Sequence, residues 1–235
     1  MSQQRVLVSR PDGQASALIA LLRAAGHRPV WVPALVITPL PLSDAARRRL
    51  LDLDLYHAVF FVSANAAEQG LTAMADLWPQ WPVGLHWLAV GEATAAVIRA
   101  ANLAPVTPTW GFNSEAVLAL PCLAEVAGKR ILICRGETGR DWLATRLRER
   151  GAEVDVLPLY RRDANPAFAW PADTATVMVT SVDGWRAMAS QVPARATVIA
   201  AGERVAERVR EEHAGTVILA RSAHDRDMAA ALPPP

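Results

Sequence analysis

The run Arg5-Val6-Leu7-Val8-Ser9-Arg10-Pro11 returns later in the chain as Arg130-Ile131-Leu132-Ile133-Cys134-Arg135-Gly136, and the same offset carries Gly26 onto Gly151 and Pro33 onto Pro158. Two more pairs follow at shorter offsets. Val59-Phe60-Phe61-Val62-Ser63 matches Val177-Met178-Val179-Thr180-Ser181, and Ala89-Val90-Gly91-Glu92 matches Ala200-Ala201-Gly202-Glu203. Each run is short and apolar, ends in small or polar residues, and leads into an amphipathic stretch of helical length. That alternation is the pattern of parallel βαβ units. A duplicated α/β unit implies two similar lobes, and two lobes imply a cleft.

Working outward, the pattern predicts strands over residues 6–9, 58–62, 87–90, 130–134, 176–180, 197–201 and 216–219. Helices are predicted over 14–25, 66–75, 93–101, 140–150, 185–190 and 204–212, with Gly26 and Gly151 as C-terminal caps. Residues 225–232 read as one more helix, stopped by the closing prolines Pro233, Pro234 and Pro235.

The stretch 29–41 is extended and β-branched but too long for one strand of a small sheet, since at 3.3 Å per residue it would span roughly 40 Å. Its counterpart runs from Val154 to about Asp163. Both read as strands that leave their sheet and become connectors, able to pair as a short ladder. The chain then crosses from lobe one to lobe two and returns. The expected division is residues 1–36 with 166–235 for a discontinuous lobe one, 43–157 for lobe two, and 37–42 with 158–165 for the linker strands. A tandem pair of lobes split near Gly128 is the alternative. The fold class expected is α/β, with two flavodoxin-like parallel-sheet lobes.

Composition narrows the partners. A formal charge of +1 with 20% charged residues gives no general pull on nucleic acid or membrane, so an anionic partner must be held by local placement. Met1-Ser2-Gln3-Gln4 leads straight into a strand, and no apolar run reaches membrane-spanning length, so a soluble, cytoplasmic protein is expected. Cys122 and Cys134 are too few for a metal cluster and read as reduced core thiols. The five histidines show no ligand spacing, and neither Gly91-Glu92-Ala93 nor Arg135-Gly136-Glu137-Thr138-Gly139 completes a dinucleotide fingerprint. No metal and no nucleotide are expected.

In open parallel sheets, ligands sit beyond the carboxyl ends of the strands, where helix N-termini aim free N–H groups. The residues at those ends are Ser9-Arg10-Pro11, Ser63-Ala64-Asn65, Gly91-Glu92-Ala93-Thr94, Arg135 to Arg140, Ser181-Val182-Asp183-Gly184 and Gly202-Glu203-Arg204. Small residues let a ligand approach the backbone, and helix N-termini favour carboxylates or phosphates. Taken singly each turn is a helix cap; taken together they suit a ligand with many anionic arms. Trp110, in the loop 107–113, is the tryptophan placed to act as a lid. Tyr160, where the returning connector begins, has two readings. It packs as an aromatic between lobes, or its hydroxyl projects into the cleft and donates a proton.

The ordered set Arg10-Pro11, Phe61-Val62-Ser63-Ala64-Asn65-Ala66, Ala89-Val90-Gly91-Glu92-Ala93-Thr94-Ala95 and Leu157-Pro158-Leu159-Tyr160 resembles the uroporphyrinogen-III synthase family. The resemblance covers nearly the whole chain, and its specificity lies in the order of motifs that are individually weak. It implies a two-lobed α/β protein whose substrate is the linear tetrapyrrole hydroxymethylbilane. The family reaction loses the terminal hydroxyl as water, then closes the macrocycle with inversion of ring D through a spiro intermediate. No cofactor is implied, because the pyrroles supply the nucleophile and the azafulvene the electrophile. Tyr160 matches the family's linker tyrosine and Thr94 the threonine of the first Gly-x-x-Thr turn; these are the catalytic candidates. The substrate-binding candidates are Arg10, Ser63, Asn65, Gly91, Glu92, Ala93, Arg135, Gly136, Arg140, Ser181, Gly202 and Arg204. A monomer is expected, in transient contact with the upstream enzyme that forms hydroxymethylbilane.

One departure matters. Many members carry a Thr-Thr pair after the second-copy glycine, where this chain has Gly202-Glu203-Arg204-Val205. Arg204 is expected to hold a carboxylate in place of the missing threonine contact. The competing hypothesis is a non-catalytic two-lobed binding or sensor protein for a small polyanion.

Overall fold

The computed structural model describes residues 5–111 and 113–233; the first four residues, Phe112 of the tryptophan loop and the last two prolines lie outside the described residues. Along the chain come β1 (Arg5–Val8), α1 (Ser16–Ala24), β2 (Arg28–Trp31), β3 (Leu35–Pro39), α2 (Asp44–Leu51), β4 (Tyr56–Phe61) and α3 (Ala64–Ala75). Then follow β5 (His86–Ala89), α4 (Glu92–Ala100), β6 (Pro105–Val106), α5 (Ser114–Leu118), β7 (Arg130–Gly136), α6 (Trp142–Glu149) and β8 (Glu153–Ala164). The last elements are β9 (Thr176–Val179), α7 (Val182–Met188), β10 (Thr197–Ala201), α8 (Glu203–Glu212), β11 (Val217–Ala220) and α9 (Asp225–Ala230). Among the described residues no helix is long and apolar enough to cross a membrane.

The strands form two sheets, ordered β11-β10-β9-β1-β2 and β3-β8-β7-β4-β5-β6. Every pair in the first sheet is parallel. Numbered along the chain, its strands take the order 2-1-3-4-5, the flavodoxin-like doubly wound arrangement. The second sheet has the same order, once β3 is set aside and the strands are read cyclically from β7. This cyclic shift explains the offsets in the sequence: β1 answers to β7, β9 to β4 and β10 to β5.

The chain divides into two compact units, one running up to Ile37 and resuming at Arg162, the other spanning Thr38–Arg161. In the first, alternate strand residues fill two cores. Leu7, Val177, Val179 and Val198 pack with Trp185, Met188, Val205 and Val209 of α7 and α8. Val6, Val8, Met178 and Ile199 pack with Leu18, Leu22 and Met228 of α1 and α9. The period of two along a strand produces this split. In the second unit Phe60, Leu88, Ile131 and Ile133 pack with Val117, Leu143 and Leu147 of α5 and α6, while Phe61 lies under Gly70 of α3 on the other face.

Gly26 and Gly151 close α1 and α6 in the same way. Both have positive φ (86° and 84°), and the next N–H bonds back to the helix, His27 to the Leu22 carbonyl and Ala152 to the Leu147 carbonyl. A left-handed residue closing a six-to-one bond is the Schellman stop, which glycine adopts without Cβ strain.

The extended stretch after Gly26 is two strands. Val32 and Ala34 still donate to the Val8 and Ser9 carbonyls of the first sheet, but Pro33 has no N–H, and beyond it the chain becomes β3 of the second sheet. β3 and β8 run in opposite directions, since Leu40 bonds Leu159 while Asn165 bonds Ala34. The segment after β3 forms α2, capped by the Ser43 hydroxyl on the Ala46 N–H; no helix was expected there, nor at α5.

Candidate functional site

The second sheet reverses its winding between β4 and β7, the position where doubly wound folds hold ligands. Three of the sequence-predicted residues meet there. Ser63 follows β4 and is the N-cap of α3, its Oγ accepting from the Ala66 N–H at 3.1 Å. The Tyr160 hydroxyl lies 3.0 Å from the same Oγ. Gly136, at the end of β7, lies under the tyrosine ring, so that a Cβ there would stand 3.1 Å from Cε2 and Cζ. Only glycine leaves the ring that room.

A β-bulge aims the tyrosine. Arg135 pairs with Pro158 but Gly136 pairs with Tyr160, so Leu159 is an extra residue on β8. Alternation buries Leu157 and exposes Pro158; after the bulge Leu159 and Tyr160 are both buried. Tyr160 is 2% exposed. Its hydroxyl therefore reaches Ser63 from inside the unit.

The flanking residues divide into committed and available groups. Arg135 donates to the Asp141 carboxylate at 2.7 Å and to the Arg140 carbonyl at 3.4 Å, while its Nε is buried without an acceptor among the described residues. Arg140 is exposed, with no ion pair among the described residues. Gly91 is the extended N-cap of α4, and without a side chain it leaves the helix N–H groups uncapped. Ala93 is exposed in the first turn and Thr94 is buried beside it. Glu92 forms a two-pronged pair with Arg99 at 2.8 and 3.0 Å, whose hydrogen bonds hold its carboxyl below the usual range. As an acceptor on an exposed anion it is unsuited to binding carboxylates. Asn65 is buried in α3 and engaged in a polar contact.

In the first unit Ser181 repeats the role of Ser63, capping α7 by accepting from the Gly184 N–H at 3.0 Å. Gly202 is the uncapped N-cap of α8. Arg204 follows it, exposed and without an ion pair among the described residues. Ser181 and Arg204 border a cavity of about 480 Å³ that continues between α7 and α8 past Arg186 and Arg208. Val205, where a threonine was missed, belongs to the core instead.

Arg10 is a correction. Its guanidinium is 12% exposed and turned onto the Asp225 carboxylate and the Ala223 carbonyl, with a further bond to the Gln14 carbonyl at 3.3 Å. It ties the end of β1 to α9, with its Nε buried and without an acceptor among the described residues. Trp110 is 62% exposed. Sequence reasoning missed the opposite end of the second sheet, where β4, β7 and β8 begin. There Tyr56 donates to Asp155 at 2.6 Å, and Arg49 and Arg130 donate to the same carboxylate at 3.0 and 3.2 Å. Burial alone would raise the Asp155 carboxyl, but these bonds hold it below its usual range, while burial and Asp155 push the Tyr56 phenol up. His57 and His86 also meet there, rings 4.9 Å apart. Burial first, then His57, lowers His86.

Residues 16–230 match the family model described as uroporphyrinogen-III synthase HemD. The chain is 30% identical over 222 residues to a uroporphyrinogen-III synthase of Salmonella typhimurium, covering 88% of this chain and 90% of that protein. It is 31% identical over 199 residues to one of Escherichia coli K12, covering 80% of each. In fold it is similar to a crystal structure of a mutant uroporphyrinogen III synthase from the extremely thermophilic bacterium Thermus thermophilus, with a TM-score of 0.61 and 16% identity over 97% of this chain and 96% of that one.

Proposed function

Because the chain belongs to the uroporphyrinogen-III synthase family, we propose that the Tyr160–Ser63 hydroxyl pair assists the departure of water from hydroxymethylbilane and that the helix N-termini around it hold the carboxylate arms. The activity itself is that of a uroporphyrinogen-III synthase, a hydro-lyase that closes the tetrapyrrole with inversion of ring D. The observation that carries the site assignment is the pair of hydroxyls 3.0 Å apart at the reversal of the second sheet. General-acid assistance needs a donor within hydrogen-bond reach of the leaving oxygen. The spontaneous cyclisation leads to the wrong isomer, so positioning carries much of the selectivity.

In this reading the two units act as lobes, linked by residues 37–42 and 158–165. In the second unit Arg135 and Arg140 take carboxylates, together with the uncapped N–H groups behind Gly91 and the capped turn at Ser63; in the first, Arg204 does so with the N–H groups behind Gly202 and the capped turn at Ser181. Gly136 gives Tyr160 its place, and Ala93 and Thr94 shape the first turn of α4. Arg10 is left out, since Asp225 occupies it. The chain acts as a monomer, receiving its unstable substrate from the enzyme that forms it. Family membership disfavours the non-catalytic binding protein.

The test is kinetic. Arg204→Ala and Arg140→Ala raise KM severalfold with kcat little changed, and the effect shrinks as salt rises, because both are exposed cations on a screened ligand. Unchanged KM at low salt in both variants would remove the carboxylate assignment.

A further inference from the structure

The pair offers two protons, and its surroundings order them. Ser63 Oγ already accepts from the Ala66 N–H, which leaves it one lone pair and its own proton. Tyr160 Oη is 3.0 Å away, at a distance where either hydroxyl can donate, and the greater acidity of a phenol favours Tyr160 as the donor into that lone pair. The tyrosine proton is then turned toward Ser63, and the serine proton is the one left to point elsewhere. Exposure agrees: Tyr160 is almost fully buried, whereas Ser63 is half-buried at the end of β4. The bulge at Leu159 and the bare backbone of Gly136 fix the ring in this rear position.

We infer that Ser63 is the group that hands its proton to the departing hydroxyl, with Tyr160 behind it as the group that resupplies Ser63. The inference rests on the reading that this pair assists loss of water. In the step, the substrate's hydroxymethyl C–O bond breaks with its electron pair on oxygen. That oxygen takes the Ser63 proton and leaves as water, while Ser63 takes the Tyr160 proton. The phenolate so formed lies beside the N-terminus of α3, whose partial positive charge favours an anion. It regains a proton from the pyrrole carbon that loses its hydrogen when the ring closes, so the cycle balances without an external acid.

The experiment measures kcat and KM for Ser63→Ala, Ser63→Gly, Ser63→Thr, Tyr160→Phe and the Ser63→Gly/Tyr160→Phe double variant, with hydroxymethylbilane generated in place and the type III product separated. Ser63→Gly guards against unfolding, since glycine is tolerated at an N-cap far better than alanine, and thermal melts of each variant accompany the kinetics. The expected result is a kcat loss of roughly tenfold or more in Ser63→Gly, at least as large as in Tyr160→Phe. The double variant is no slower than Ser63→Gly, and Ser63→Thr recovers most of the turnover. Ser63→Gly faster than Tyr160→Phe would overturn the order, placing the tyrosine in front. Losses that multiply in the double variant would overturn the relay. Full turnover in both single variants would instead remove the reading on which the inference rests.

Discussion

Replacing Gly136 by alanine places a methyl carbon 3.1 Å from Cε2 and Cζ of Tyr160 and 3.4 Å from its oxygen. Relaxing those contacts to ordinary van der Waals distance requires a shift of about half an ångström, and the ring, being 2% exposed, has packed neighbours behind it. Overpacking of this kind costs about 1–3 kcal/mol. At about 2–4 °C per kcal/mol for a chain of this size, the melting temperature falls by roughly 2–12 °C. The same shift stretches the 3.0 Å hydroxyl contact toward 3.5 Å, where a hydrogen bond is nearly lost. Turnover should therefore fall about as far as in Tyr160→Phe, roughly tenfold. The assay pairs a thermal melt with type III product formation, repeated in a Tyr160→Leu background where the obstructing ring is gone. There the alanine should cost almost nothing in stability. An unchanged melting temperature and turnover in Gly136→Ala, or an equal stability loss in both backgrounds, would refute the account of how the tyrosine is placed.

Two further variants probe residues outside the pair. Asp155→Asn loses charge-assisted bonds to Arg49 and Arg130 and should destabilise by about 1–2 kcal/mol at pH 7. Because the folded protein holds the Asp155 carboxyl below its ordinary range, its contribution is complete at neutral pH and fades as pH drops below about 4. Urea melts of wild type and variant should therefore converge in acid, and a gap independent of pH would contradict the assignment. Arg10→Ala should cost about 1.5–3 kcal/mol of stability while leaving KM unchanged, since its partners are Asp225, Ala223 and Gln14. A raised KM with an unaltered melting temperature would restore Arg10 to the substrate.

The parts of this molecule that were legible in its sequence are those set by local chemistry. The matched glycines Gly26 and Gly151 announced two helix stops, and the alternating runs announced the parallel strands. Ser63 and Ser181 sat where N-caps belong, and both cap their helices. The long extended stretch reads as a strand that leaves its sheet, and Pro33, which cannot donate to a ladder, is where it divides into β2 and β3. What was not legible depends on distant partners. Arg10 reads as a spare cation because Asp225 is far along the chain, and the Asp155 cluster gathers Arg49, Tyr56 and Arg130 from separate elements. The bulge at Leu159 has no local signature, and strict alternation would have turned Tyr160 outward with Pro158. The short helix α2 was hidden by its polar, arginine-rich composition, which resembles a linker until the Ser43 cap is noticed.

This chain imposes one ring closure on a substrate that cyclises unaided to another. The direct measurement generates hydroxymethylbilane in place, adds the purified protein without any cofactor, and separates the oxidised type I and type III porphyrins by chromatography. Type III is the expected dominant product, formed faster than the spontaneous reaction and falling with the Ser63 and Tyr160 variants. Type I alone, at the rate seen without protein, would contradict it.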